Sequence, residues 1–325
     1  MLFVVLFSVL LEPAIKILNS LKNIKIIFYI HQCFLFWIYS DLFHFKSLYK
    51  VYQKSKYVIS IVPFENDYLF RKWGINSIKM YNFISFEFNS VIPSDLSSNN
   101  ILMIGRANNR LKRFELGVKS MKYIIKEVHN CEMKIISYFD FRIQKLINQL
   151  NLKKYIKFVG YSSKPELYFR NASLHIFPSI SEAFPMVLCE TKIYGIPNIL
   201  LGIDYIANIN GGTIIIYDDK PESIAKETVK ILTNSNYRKK LGKEARDSMK
   251  YFNNELILKK WNRIILSVYN GDNYYQKLRD QDKKIDRKVA LNILKNQLNL
   301  LKIRKKKFQN TTINDIYNFT YMENL

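Results

Sequence analysis

Two glutamates are the residues of this chain best placed to do chemistry, because Glu182 and Glu190 stand eight positions apart across a predicted helix start. Pro185 fits the first position of that helix, where a missing N–H costs no hydrogen bond, and Gly195 fits its C-terminal cap. The backbone N–H groups within residues 183–187, where only Pro185 has none, then lie at the helix N-terminus, where free amides and the helix dipole favour an anion. Amides for phosphate and carboxylates for hydroxyls match the needs of a nucleotide diphosphate sugar.

The sequence Glu-Ala-Phe-Pro-Met-Val-Leu-Cys-Glu at residues 182–190 resembles the EX7E signature of retaining GT-B glycosyltransferases, the group 1 class (family 4). The resemblance implies that Glu182 faces the donor sugar and that Glu190 holds the ribose of the nucleotide. It also implies donor-binding positions in the phosphate-facing turn, which are Ala183, Phe184, Pro185, Met186 and Val187.

A second match lies in residues 100–124, which follow the pattern of a strand, a loop and an amphipathic helix. They are similar to the family's strand followed by Gly-Arg, a short loop, a basic residue and a helix. By this resemblance Gly105 belongs to the donor site, and Arg106 and Lys112 neutralise the donor diphosphate. The loop is one residue longer than the usual form, so Arg110 competes with Lys112 for the second position. Two cations beside one diphosphate would stabilise the charge that grows on the leaving group.

Two further matches complete the predicted site. The segment Ile-Lys-Phe-Val-Gly-Tyr at residues 156–161 resembles the family's strand and glycine turn where the base stacks. The base-binding candidates are therefore Val159, Gly160 and Tyr161. His31 ends the apolar run of residues 24–31, and the resemblance implies that it contacts the donor sugar at the domain cleft. The alternative is a histidine that is capped or hydrogen-bonded within the core.

Alternating strands and helices predict an α/β fold with parallel sheets. Six strands are expected in the C-terminal half, at residues 101–105, 133–137, 156–159, 174–177, 197–201 and 213–216. The resemblance implies a GT-B arrangement in which two Rossmann-like domains face a cleft. We expect a partial N-terminal, acceptor-side domain at residues 1–95, a nucleotide-sugar-binding domain with a closing helix at 96–270, and a basic helical tail at 271–325. The first domain is short for the family and has no Gly-rich loop, so we expect it to be truncated.

Two terminal segments leave alternatives open. Residues 1–11 are continuously apolar but too short to span a bilayer, which takes about 20 residues, so a buried strand is expected and membrane insertion is the alternative. The C-terminal tail has apolar residues at helical spacing and a basic cluster at residues 302–307. It either lies on anionic lipid or on a partner, or it packs on its own domain with a solvated basic face.

The 325-residue chain has a net charge of +23, which reflects either abundant lysine along the whole chain or attraction to an anionic partner. A nucleotide sugar and an acidic membrane surface are the expected partners, and nucleic acid ranks last because the sequence has no RNA-binding or helix-turn-helix pattern. Three scattered cysteines and four scattered histidines form no metal spacing and no disulfide framework. We therefore expect a cytoplasmic protein, peripheral on the inner face of the membrane, with no cofactor besides its donor substrate.

The expected function is sugar transfer with retention from a UDP- or GDP-sugar to a glycan or lipid-linked acceptor, in surface polysaccharide or lipopolysaccharide synthesis. The short N-terminal domain keeps a second hypothesis open, a non-catalytic remnant that binds the nucleotide sugar without transferring it. A phosphorylase or epimerase of the same fold is a third hypothesis. It is weaker because phosphorylases need a cofactor lysine that the sequence does not indicate, and epimerases arrange His and Glu differently.

Overall fold

The fold is taken from a computed structural model, which describes residues 3–7 (backbone only), 25–30, 52–53, 55, 57–61, 69, 74–75, 77–180, 182, 184–202, 211–250 and 252–271. Two predicted site residues, His31 and Ala183, lie outside the described residues. So does the predicted helical tail beyond Gly271.

The N-terminal sheet is parallel, with the described strands β1 to β4 adjacent in chain order. These strands are Phe3–Phe7, Lys25–Ile30, Tyr57–Ser60 and Ser77–Lys79. The strands predicted within residues 1–11, 24–31 and 57–62 are therefore confirmed. All four side chains of β3 are buried, as expected for a parallel strand covered on both faces, and for this reason its sequence does not alternate between apolar and polar residues.

The C-terminal sheet is also parallel, and its six described strands have the spatial order β10-β9-β8-β5-β6-β7. Each predicted strand is confirmed to within one residue at either end. The strands β5 to β10 are Asn100–Ile104, Glu132–Ile136, Ile156–Phe158, Leu174–Phe177, Asn198–Leu201 and Thr213–Ile216. Together the two parallel sheets confirm the predicted α/β fold class.

Helices connect and cover these strands. The described helices α1 to α7 are Phe114–Glu127, Phe141–Gln149, Glu166–Phe169, Met186–Ile193, Pro221–Thr233, Ser235–Ser248 and Asn254–Asn270. Helix α1 buries Phe114, Val118 and Met121, which share one face at three- and four-residue spacing. Asp140 caps the N-terminus of helix α2, because its carboxylate accepts a hydrogen bond from the backbone N–H of Arg142 (2.9 Å). Within the described ranges, no helix combines the length and the apolar character that crossing a bilayer requires.

The last of the described helices, α7, joins the two halves of the chain. Ser267 Oγ lies 3.0 Å from the hydroxyl of Tyr57 on β3, and Lys25 on β2 donates to the carbonyl of Val268 at 2.6 Å. Trp261 packs edge-on against Tyr29, with ring centroids 5.4 Å apart. The helix therefore lies against the N-terminal sheet.

Residues 81–97, which we call the crossing segment, run from the first sheet to the second. The backbone N–H and carbonyl of Ile84 both bond to the side-chain amide of Asn254, each at 2.8 Å. Arg246 donates to the carbonyl of Phe88 at 2.9 Å, and its guanidinium lies 4.5 Å from the centroid of the Phe88 ring. The crossing segment is therefore fixed to α6 and α7 by its own backbone.

Gly212, which directly precedes β10, is the glycine where a side chain fits least. Its φ is 63°, and a Cβ there would lie 2.2 Å from the carbonyl oxygen of Leu241 and 2.4 Å from the backbone nitrogen of Ala245. Both are backbone atoms of α6, so the clash cannot be relieved by a rotamer change. We expect Gly212→Ala to lower the free energy of unfolding by about 3 kcal/mol or more in urea denaturation.

Gly74 offers a matched control for this prediction. Its φ is 64°, but a Cβ there would meet nothing within 4 Å. Gly74→Ala should therefore cost only the backbone strain, about 1 kcal/mol. Equal losses of stability in the two variants would mean that the close approach of α6 does not determine the requirement at Gly212.

Candidate active site

The candidate site lies where the strand order of the C-terminal sheet reverses. The chain moves from β5 outwards to β6 and β7, then returns to β8 on the other side of β5. In open α/β sheets, ligands bind beyond the carboxyl ends of the two strands at such a switch point. Here those ends lead into two loops, residues 105–113 after β5 and, after β8, a loop described at residues 178–180, 182, 184 and 185.

An ion pair between Lys112 and Glu182 joins these two loops. The Lys112 Nζ donates to Oε1 of Glu182, and the side chains are 17% and 12% exposed. The same Nζ lies 5.6 Å from the centroid of the Phe177 ring, at the end of β8. Two residues predicted to hold the diphosphate and the sugar are thus brought together across 70 positions of sequence.

The backbone of Leu111 holds the two loops at this spacing. Its carbonyl accepts a hydrogen bond from the N–H of Ile180 at 2.9 Å and another from Ser179 Oγ at 3.3 Å. Leu111 belongs to a short 3₁₀ turn, Arg110–Lys112, which starts where the Asn109 side chain accepts from the Leu111 N–H at 2.9 Å. Local turn chemistry therefore sets where Lys112 points.

The other predicted cations occupy different places. Gly105 and Arg106 follow β5 directly, and the Arg106 side chain is exposed at the start of the loop. Arg110 is exposed too, and it is Lys112 that pairs with Glu182. Arg113, which the sequence did not indicate, has a left-handed backbone conformation with φ 50°. Its side chain forms ion pairs with Glu115 (2.7 Å) and Asp219 (3.1 Å) and not with Glu182.

Helix α4, Met186–Ile193, begins one residue later than predicted. Pro185 precedes the helix because its ψ of 88° is outside the helical region, although its carbonyl accepts from the N–H of Leu188 at 3.0 Å. Gly195 ends the helix as predicted, with φ 70° and its N–H bonded to the carbonyl of Lys192 at 2.9 Å. Phe184, just before the helix, is buried in an aromatic cluster with Tyr81 and Phe252.

Glu190 lies inside α4 and is only 9% exposed. Its Oε1 accepts a hydrogen bond of 2.9 Å from the hydroxyl of Ser85 in the crossing segment. Burial raises the pKa of the Glu190 carboxyl above its usual range, the Ser85 hydrogen bond opposes that shift, and the charge of Glu166 adds to it. Ser85 was missed by the sequence analysis because nothing local to it signals a partner 105 positions away.

The predicted base-binding turn lies beside this helix. Val159 packs against the same apolar cluster as Val187 of α4, whereas Tyr161 is 64% exposed. The ring of Tyr161 stacks on the ring of Tyr138, with centroids 4.8 Å apart and planes 4° from parallel. Tyr138 was not predicted, although its position two residues beyond β6, the strand next to β5, was a usable signal.

The loop that carries Tyr138 is tied to the Arg106 loop. The N–H of Ala107 donates to Ser137 Oγ at 2.8 Å, and Arg142 donates to the carbonyl of Asn108 at 3.3 Å. The aromatic pair therefore belongs to the same group of loops as the predicted diphosphate residues.

A buried polar cluster supports α4 from the sheet side. His175 on β8 bonds through Nδ1 to Asn198 Oδ1 on β9 at 2.7 Å, and the hydroxyl of Thr191 in α4 donates to the same Oδ1 at 3.0 Å. Burial lowers the pKa of His175 from 6.5 to about 4, and the Asn198 hydrogen bond opposes the shift. The imidazole is therefore neutral at physiological pH.

This cluster predicts a specific acid sensitivity. His175 binds no proton in the folded chain above a pH of about 4 but takes one up in the unfolded chain below 6.5, so stability falls as the pH drops between these values. The loss attributable to His175 should approach about 3 kcal/mol at pH 4. When the free energy of unfolding is measured by urea denaturation from pH 7 to 4, it should fall less steeply with decreasing pH in His175→Leu than in the wild type. The exposed His129 provides the control, and a His129→Gln variant that flattens the slope equally would contradict the assignment.

Comparison with known proteins assigns the chain to a family. Residues 86–248, half of the chain, match the family model described as glycosyl transferases group 1. The chain belongs to this family. A curated relative is the amylovoran biosynthesis glycosyltransferase AmsD of Erwinia amylovora, 24% identical over 231 residues, a match that covers 66% of this chain and 63% of AmsD. This group 1 chain therefore spans less than two thirds of that relative's length.

Solved structures show that the group 1 chain has the GT-B fold. S. aureus TarM superposes with a TM-score of 0.66 and 19% identity, over 78% of this chain and 53% of TarM. Sucrose-phosphate synthase of Thermosynechococcus elongatus gives 0.67 and 18%, over 79% and 71%. Anabaena HepE, solved in complex with UDP and glucose, gives 0.65 and 12%, over 75% and 72%. At these identities the likeness concerns the fold.

Proposed function

We propose that this chain is a retaining glycosyltransferase that moves a sugar from a nucleotide-diphosphate sugar to a glycan or lipid-linked acceptor. The observation that carries the proposal is the Lys112–Glu182 ion pair at the switch point between β5 and β8. A cation for phosphate and a carboxylate for sugar hydroxyls meet there, beside the start of α4.

In the proposed reaction the acceptor hydroxyl attacks the anomeric carbon from the face that the diphosphate leaves. The bond from that carbon to the diphosphate oxygen breaks, the bond to the acceptor oxygen forms, and the acceptor proton passes to the departing diphosphate. Arg106 and Lys112 would offset the charge on the leaving group, with the backbone N–H groups of residues 184, 186 and 187 on phosphate. Glu182 would orient the sugar through its hydroxyls. With two cations on the diphosphate, no metal ion or other cofactor is required.

The nucleotide is proposed to be UDP, with GDP as the alternative. Support comes from the names of the structural neighbours, because TarM and HepE were both solved with UDP. The base would lie at Val159, Gly160 and Tyr161, and the ribose at Glu190, where the family resemblance puts them.

The acceptor is proposed to belong to surface polysaccharide synthesis. The name of AmsD, which assigns that relative to amylovoran biosynthesis, supports this class. An acceptor held on a lipid would place the enzyme at the cytoplasmic face of the membrane, where a chain of net charge +23 is attracted to anionic headgroups.

The test is transfer of radiolabel from a panel of UDP- and GDP-sugars to membranes of the source organism. We expect transfer from one donor by the wild type and its loss in Glu182→Ala and Arg106→Ala. Label transfer that survives both substitutions would overturn the site. Donor binding in calorimetry without transfer from any sugar would instead favour the non-catalytic nucleotide-sugar-binding remnant.

A further inference from the structure

Ser85 is a polar residue of the crossing segment that contacts helix α4 of the C-terminal half. Its hydroxyl donates to Oε1 of Glu190 at 2.9 Å, across 105 positions of sequence. Glu190 is 9% exposed, whereas Ser85 itself is exposed, so the hydroxyl lies between the buried carboxylate and the surface. A hydrogen bond to a buried carboxylate fixes which of its oxygens remains for a ligand.

The backbone on both sides of Ser85 is held in place. The preceding residue, Ile84, has its N–H and carbonyl both bonded to the Asn254 side chain at 2.8 Å. The following residue, Phe86, packs edge-on against Tyr194, with ring centroids 5.6 Å apart. Ser85 is thereby placed at Glu190 by contacts that its own hydroxyl does not make, which is the arrangement expected of a preorganised site.

We propose that Ser85 is a positioning residue for donor recognition, because it orients the Glu190 carboxylate so that Oε2 accepts a hydrogen bond from a ribose hydroxyl. The inference rests on the proposed function, in which Glu190 holds the ribose. It adds a residue of the crossing segment to a site otherwise built from the C-terminal sheet. Ribose recognition would then depend on how that segment packs against α4.

The charges around Glu190 add a dependence on pH. Burial raises the pKa of Glu190, the Ser85 hydrogen bond opposes that rise, and the charge of Glu166 in α3 adds to it. Burial raises the pKa values of Cys189 and Tyr194, the charge of Glu190 raises them further, and both side chains therefore stay neutral. Removing the Ser85 hydroxyl should therefore raise the pKa of Glu190 further, and the carboxylate should be lost at a higher pH.

The experiment is calorimetric titration of the full chain with UDP and with 2′,3′-dideoxy-UDP, between pH 5.5 and 8. We expect Ser85→Ala to weaken UDP binding about tenfold at pH 7 and to reduce the wild-type preference for UDP over the dideoxy nucleotide. As the pH is lowered, the UDP affinity of this variant should begin to fall at a higher pH than the UDP affinity of the wild type. Ser85→Thr, which keeps the hydroxyl, should restore the preference.

A matched control is Ser90→Ala in the same crossing segment, since Ser90 bonds only to the exposed carbonyl of Glu87 in the described part of the chain. It should bind both nucleotides as the wild type does. Equal weakening of UDP and dideoxy-UDP by Ser85→Ala would overturn the inference in favour of a merely structural role, as would wild-type behaviour of that variant at every pH. A wild type that binds neither UDP nor GDP would overturn the proposed function itself, and the inference with it.

Discussion

Glu182→Gln is expected to lower kcat for sugar transfer about 100- to 1,000-fold while leaving UDP affinity unchanged or slightly raised. The substitution keeps the size of the side chain but removes the charge that pairs with Lys112. Lys112 is then free to bind diphosphate, so nucleotide binding does not suffer. The negative charge that would face the donor sugar is lost, and positive charge developing at the anomeric carbon is no longer stabilised.

The measurement is steady-state transfer from the preferred donor, combined with calorimetry for UDP. Glu255→Gln is a suitable control, because Glu255 is 70% exposed and forms a surface ion pair with Lys259. Exposed ion pairs of this kind contribute little to stability, so Glu255→Gln should match the wild type in both kcat and UDP affinity. A Glu182→Gln enzyme with wild-type kcat would show that this carboxylate takes no part in transfer.

Lys112→Met is expected to weaken UDP binding about 10- to 100-fold while changing UMP binding by less than about threefold. The ammonium group would contact the diphosphate, and a charge-assisted hydrogen bond to phosphate is stronger than a neutral one. Because Lys112 is 17% exposed and paired with Glu182, the variant also leaves that carboxylate without its cation. The resulting repulsion of phosphate adds to the loss.

Arg110→Met provides the comparison that decides between the two basic residues of the loop. Arg110 is exposed and Lys112 pairs with Glu182, so only a modest, salt-sensitive effect is expected from Arg110. Calorimetry with UDP and UMP separates a diphosphate contact from a general loss of folding. If UDP binding were lost in Arg110→Met and retained in Lys112→Met, the roles of the two residues would be exchanged.

The strands of the C-terminal sheet could be predicted from sequence because most are short, mainly apolar runs between polar turns, although β6 and β7 also carry charged residues. Strand β9, for example, has four buried side chains and directly follows Pro197, which ends the preceding helical pattern. The boundary of α4 was less certain. Proline suits both the position before a helix and the first position within it, and the choice depends on ψ, which the sequence does not specify.

The predicted site residues were those belonging to a motif, and the missed ones belong to none. Lys112 and Glu182 sit within recognisable local patterns, whereas Ser85 and Tyr138 act through contacts across many positions of sequence. The left-handed conformation of Arg113, which redirects its side chain to Asp219, was equally beyond prediction. Non-glycine residues adopt that conformation only where the surrounding structure compels it.

The most direct test of the account is a crystal structure of the full chain with UDP. We predict that the diphosphate lies beyond the carboxyl ends of β5 and β8, within hydrogen-bond distance of Lys112 Nζ, with the ribose at Glu190 and the base at Val159–Tyr161. UDP bound with its diphosphate away from Lys112 would contradict the central claim that the Lys112–Glu182 pair marks the donor site.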